Sequence, residues 1–130
     1  MSRSIIQTYN QTTQQLNENS TFSLGSVSRR FGGNCRLNGN SIELNGCGYY
    51  TLDANITLAP TAEGDVTITL YQNGTEIPGA TATATQAAGE NVTLTINNTV
   101  RVNCNVVAIT CVLEQGASTV SNITLRAQKI

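Results

Sequence analysis

Between Gly48 and Gly79 the chain alternates apolar and polar residues through two segments and then turns sharply. That period of two commits the stretch to sheet. In the first segment Tyr50, Leu52, Ala54, Ile56 and Leu58 point one way, and Thr51, Asp53, Asn55 and Thr57 point the other. Val66, Ile68 and Leu70 repeat the pattern opposite Thr67, Thr69 and Tyr71. One face of each strand is thus made for a core and the other for water. Asn73-Gly74 follows directly, and both residues tolerate the positive φ of a type I′ turn, so a hairpin is predicted there.

Related signals recur from Thr21 onward, separated by Gly, Asn or Pro. They predict strands over residues 22–28, 41–44, 49–58, 66–72, 75–85, 92–102, 105–113 and 119–127. This is the spacing of an all-β sandwich of about eight antiparallel strands. At 130 residues the chain is one domain's worth. Residues 1–20 differ, being rich in Gln, Asn and Thr, with Ile5, Ile6, Tyr9 and Leu16 too widely spaced for a helical stripe. They read as an extended N-terminal arm ahead of a head domain, 21–130. Such an arm buries too little to order itself, so it is expected to be mobile until its apolar residues meet a support. Arg29-Arg30, where arm meets head, could set guanidinium groups against carboxylates of a neighbour or support.

Two segments invite contact between copies. Ala80, Ala82 and Ala84 alternate with Thr81, Thr83 and Thr85, giving a thin strand that reads equally as an ordinary edge or as a close-approach surface. Val106, Val107, Ala108 and Ile109 are apolar on both faces, which suits burial between subunits as well as within one. Ala82, Ala84, Val106, Val107 and Ile109 are therefore the candidate subunit contacts.

Chemistry-bearing patterns are sparse. The chain has no histidine, so a serine or cysteine nucleophile would have no imidazole partner, and enzymatic activity is not expected. Only 12% of residues are charged and the net charge is -1, so no field is expected to draw nucleic acid. Cofactor and metal sites are not expected either, since the four cysteines lack close paired spacing. No run is long enough to span a bilayer, and the first residues lack the apolar stretch of a secretion signal. A cytoplasmic start is expected, and with it Cys35, Cys47, Cys104 and Cys111 as reduced, partly buried thiols in preference to bridges.

The segment GYYTLDANITL resembles the Gly-x-Tyr-aromatic strand of the tumour necrosis factor-like jelly rolls, a superfamily that includes the heads of complement and of bacterial collagen-like spore-surface proteins. LYQNGTEIPGATATAT, GENVTLTINNTV and the closing TVSNITLRAQKI follow in an order similar to the bacterial and phage branch, and the resemblance spans residues 36–130. No collagen-like glycine repeat precedes the head, and a short polar segment stands in its place. The resemblance implies a homotrimeric jelly roll. It further implies a phage structural protein, a capsid decoration or head fibre, held by its N-terminal arm to the major capsid or another particle protein. The location implied is a virion surface assembled in a bacterial cytoplasm. A second implication is a recognition tip for a surface glycan or receptor.

Overall fold

The computed structural model describes residues 3–130, and the described residues form strands and connecting turns without a helix. In chain order the strands are β1 (Ile5–Asn10), β2 (Gln14–Leu16), β3 (Ser20–Thr21), β4 (Ser26–Phe31), β5 (Cys35–Asn38) and β6 (Ser41–Asn45). There follow β7 (Gly48–Pro60), β8 (Gly64–Gln72), β9 (Thr75–Gln86), β10 (Val92–Val102), β11 (Val106–Gln115) and β12 (Ser118–Lys129). Two antiparallel sheets of six strands face each other. Sheet A runs β10-β7-β12-β1-β4, with β2 alongside β12, and sheet B runs β5-β6-β11-β8-β9, with β3 alongside β11. The chain crosses between sheets at β2–β3, β3–β4, β4–β5, β6–β7, β7–β8, β9–β10, β10–β11 and β11–β12, which is the jelly-roll winding.

The alternation read from sequence is what fills the core. Tyr50, Leu52, Ala54, Ile56 and Leu58 of β7 meet Val66, Ile68 and Leu70 of β8 across the sandwich, and all are buried. Each fully buried Leu or Ile contributes about 1.5–3 kcal/mol relative to exposure. The Asn73-Gly74 turn has positive φ at both residues, 51° and 80°, as a type I′ hairpin requires. Asn73 also fastens the turn to β11, its backbone N–H donating to the Ala108 carbonyl and its Oδ1 accepting from the Ala108 N–H, each at 2.9 Å.

The N-terminal stretch corrects the sequence reading. Residues 5–10 are not an arm: β1 lies inside sheet A, paired with β12 on one side and β4 on the other. Ile6 is fully buried in the core. Met1 and Ser2 lie outside the described residues. The inward positions of β1 are Ser4, Ile6, Thr8 and Asn10, so a single large apolar side chain marks the strand. The polar positions are satisfied individually, Ser4 Oγ donating to Asn34 Oδ1 and Thr8 Oγ1 to the Leu125 carbonyl. An ordered segment paired on both edges is not the mobile arm expected.

Three further differences follow. The strand expected over 22–28 begins at Ser26, because Phe22 and Leu24 enter the core from the irregular segment before it. Arg29 and Arg30 sit on β4, not in a turn. Cys47 and Cys104 form a disulfide, with Cα atoms 4.3 Å apart, whereas Cys35 and Cys111 are free and buried as expected. Cys104 does not pack with the apolar segment that follows it. It occupies the exposed turn before β11, beside the exposed turn from β6 to β7 that carries Cys47.

Candidate assembly surface

Antiparallel pairing arranges the outer side of sheet A into rows that cross the strands. At the Gly48 end, Arg101 of β10 stands beside Tyr49 of β7, and the N–H of Ile130, just past β12, donates to the Tyr49 carbonyl. The Arg101 guanidinium lies 5.9 Å from the centre of the Tyr49 ring. The next row holds Thr51, Gln128, Ile5 and Phe31 on β7, β12, β1 and β4. Phe31 is 67% exposed, Ile130 74% and Tyr49 53%. Ile5, Phe31 and Ile130 line one hollow at this end.

One row further on, Asn97, Asp53, Arg126, Gln7 and Arg29 cross β10, β7, β12, β1 and β4. Arg126 makes an ion pair with Asp53 through both Nε, at 3.0 Å, and Nη2. The amides of Gln7, Asn55 and Asn97 join Thr124 and this pair around a hollow of about 370 Å³. Beyond it the face carries Thr57, Thr93, Thr95 and Asn122, with Tyr9 at its β1 margin. The whole face therefore grades from apolar and cationic, through one ion pair, to uncharged polar.

The outer side of sheet B is closed on itself. Thr67 bonds Thr83 at 3.1 Å and Thr69 bonds Thr81 at 3.1 Å, so the threonines of β9 face outward in a ladder with β8. Tyr71 donates to Glu114 Oε2 at 2.8 Å, and Thr69 donates to Glu114 Oε1. The bond from Thr69 holds the Glu114 carboxyl below its ordinary range, with further help from Glu76 and Tyr71. The hydrogen bond shared with Glu114 pushes Glu76 up, and the bond to Glu114 raises the Tyr71 phenol to about 12.

The residues singled out from sequence fall into different places. Val107 and Ile109 are buried within the single chain and pack in its core, so they are not free to touch a neighbour. Their segment alternates after all: Val106 is exposed and Ala108 half-buried, with Val107 and Ile109 inward. Ala82 and Ala84 pack against the core from β9, which is an edge strand of sheet B. Leu16 also packs against the core. Ile5 is half-buried on the outer side of sheet A, and Tyr9 is exposed there. Arg29 is exposed on β4, and Arg30 donates from Nε to the Cys35 carbonyl at 2.9 Å. Phe31, Tyr49 and Ile130 escaped notice in the sequence because each lies at a strand end far from the others along the chain. Only their position in two adjoining rows at one end of sheet A unites them.

No protein-family model matches the chain, and no curated protein matches it in sequence. Solved structures do match in shape. Murine APRIL at pH 5.0 aligns with a TM-score of 0.77 at 9% identity, covering 99% of this chain and 100% of that one. The globular domain of zebrafish complement 1qA gives 0.74 at 6% identity over 97% and 95%. The PRD1 vertex protein P5 gives 0.69 at 14% identity over 98% and 96%. At such identities the likeness fixes the fold, and the fold is an all-β jelly-roll sandwich of the kind seen in tumour necrosis factor-like and complement-like proteins.

Proposed function

We propose that the protein is a non-enzymatic structural component of a virion surface, a capsid decoration or head fibre, built as a homotrimer through the outer face of sheet A. The apolar side chains of Ile5, Phe31 and Tyr49, set in two adjoining rows of an otherwise polar face, carry the self-association. Burying such side chains against copies of themselves removes apolar area from water at about 25 cal/mol per Å². The low net charge opposes this packing little. The sequence resemblance implies a trimer, and the likeness to a phage vertex protein over almost the whole chain supports the virion reading.

Attachment passes to the end of the sandwich where residues 3 and 130 lie, because β1 is engaged in the sheet. The exposed Cys47–Cys104 bridge fits a protein that works outside a reducing cytoplasm, forming once particles leave the cell in which they assemble. Light scattering on purified protein at micromolar concentration should return three chains, and antibodies to the chain should label particles from its own host. A monomer overturns the assembly surface. Particles without label overturn the virion role and leave recognition of a glycan or receptor as the better account.

A further inference from the structure

We infer that the end of the sandwich carrying both chain termini is a docking surface for an acidic protein, gripped by arginine side chains set among exposed apolar ones. This deepens the attachment proposed above and rests on it. A net charge of -1 conceals an uneven distribution of charge along the strands, with Glu76 and Glu114 engaged with Tyr71 on the outer side of sheet B. In sheet A, Arg126 and Arg29 lie on the row of Asp53, and Arg30, Lys129 and Arg101 lie between that row and the Gly48 end. Arg3 shares a hollow with Lys129 there, and Arg36 of β5 shares another with Arg30. All seven cations of the chain thus occupy one half. Glu18, Glu63 and Asp65 gather around the turns at the Pro60 end, and Glu90 follows Gly89, whose N–H donates to the Pro60 carbonyl.

Within the cationic half two acids are already used. Asp53 pairs with Arg126, and Glu43 pairs with Arg36 at 2.5 Å. Among the described residues, Arg3, Arg29, Arg30, Arg101 and Lys129 make no ion pair. Like charges gathered this way repel one another, and among the described residues no carboxylate pairs with these five. Apolar groups are also exposed at this end beside the cations, Val106 next to Arg30 and Arg36, and Ile130 next to Arg3 and Lys129. The hollow of about 480 Å³ between Arg3, Lys129, Phe31 and Ile130 has both characters at once.

The side-chain types choose the partner. Four of the five unpaired cations are arginines, whose planar fork meets a carboxylate through two parallel hydrogen bonds. Two are already oriented by the chain, Arg30 through Cys35 and Arg29 through the Ser28 carbonyl at 2.8 Å. Arginine interleaved with aromatic residues is the composition of a protein interface. A polyphosphate or an acidic polysaccharide would satisfy the charges but offer little to Val106 and Ile130. In a trimer packed through sheet A with strands along its axis, three such ends share one pole, so individually weak contacts act together.

Fluorescence anisotropy of labelled poly-L-glutamate on the full chain tests this, with light scattering on the same sample. Binding is expected at about 50 mM salt and should weaken about tenfold or more by about 300 mM, as screening shortens the reach of the charges. The variant Arg3→Glu with Arg101→Glu should lose that binding, while Glu63→Gln with Glu90→Gln should keep it. No binding to poly-L-glutamate by a folded protein overturns the inference. Equal or tighter binding of polysialic acid or a DNA duplex overturns the choice of a protein partner. Salt-sensitive growth beyond the trimer, abolished by Glu63→Gln with Glu90→Gln, would overturn a separate partner in favour of the acidic end of the next copy. If the sample scatters as a monomer yet still binds poly-L-glutamate, the trimer fails and the docking end stands.

Discussion

The outer sides of the two sheets are built from the same alternating pattern and end in opposite states. On sheet B the threonines of β8 and β9 bond each other, and Tyr71 and Thr69 bond Glu114, so the polar groups are satisfied before any partner arrives. On sheet A a polar middle is bounded by Phe31, Tyr49 and Ile130, large apolar groups that nothing in the chain covers. Polar alternation alone therefore does not mark a solvent face. What separates the two is whether side chains on neighbouring strands close hydrogen bonds among themselves or leave apolar area exposed.

The largest effect should come from removing the strand that supplies part of the apolar row. Deleting residues 1–20 strips β1 from between β12 and β4 and leaves both with unpaired edges. No cooperative thermal transition should remain. Ile6→Ala should cost about 2–5 kcal/mol, because the side chain is wholly enclosed. A truncated chain that still melted cooperatively near the wild-type temperature would show that β1 is dispensable and restore the idea of an arm.

Charge placed on each face in turn then separates them directly. Phe31→Asp with Ile5→Asp should return a folded monomer by light scattering, because an interface would have to bury carboxylates without partners at several kcal/mol. Thr83→Asp, on the outer side of sheet B, should leave the trimer intact. Dissociation by the second substitution and not the first would reverse the assignment of the faces.

The Cys47–Cys104 bridge joins two turns that cross between the sheets, so it holds both faces in register at the cationic end. The bridged residues are 57 apart in sequence, a loop for which closure is worth about 4 kcal/mol on the chain-entropy account. Reductant should lower the melting temperature by on the order of 10 °C or more. Cys35 and Cys111 should stay unreactive to a thiol probe until unfolding, since burial raises the Cys35 thiol to about 11 and pushes Cys111 higher still. An unchanged melting temperature would mean that the bridge adds nothing to the folded state.

The strands β7 to β12 were legible because their inward positions are nearly all apolar, and the Asn73-Gly74 turn because its residues suit positive φ. Strand β1 was not, because Ser4, Thr8 and Asn10 face inward and are satisfied by partners more than ten residues away in sequence. The short β5 escaped for a related reason: its Cys35 and Leu37 are too few to show a period. Val106 to Ile109 misled because four apolar residues in a row carry no phase, and only pairing with β6 assigns Val107 and Ile109 inward. The Arg29-Arg30 pair was visible, but the segregation of all seven cations into one half was not. Net charge and residue order contain no long axis, and the axis appears only when the strand registers are known.

The smallest expected effect tests whether the face of sheet B is closed as described. Glu114, served by Thr69 and Tyr71, has its carboxyl lowered, whereas interaction with Glu114 raises the carboxyl of Glu76. A carboxyl raised in the folded state stabilises most below its ordinary 4.5, and the stability is lost as pH rises through the raised folded value. The lowered Glu114 works the other way, losing stability as pH falls through its depressed value. The lowered Glu43 adds to that acid-side loss. Tyr71, raised to about 12, stays neutral throughout and does not confuse the comparison. Wild-type stability should therefore decline slightly as pH rises above the ordinary carboxylate value. Glu76→Gln should abolish that decline, because an amide donates to Glu114 at every pH. Thermal melts of the two proteins across this range provide the measurement. If the two profiles are parallel, Glu114 does not raise Glu76 in the folded protein and the face of sheet B is less completely self-satisfied than its contacts indicate.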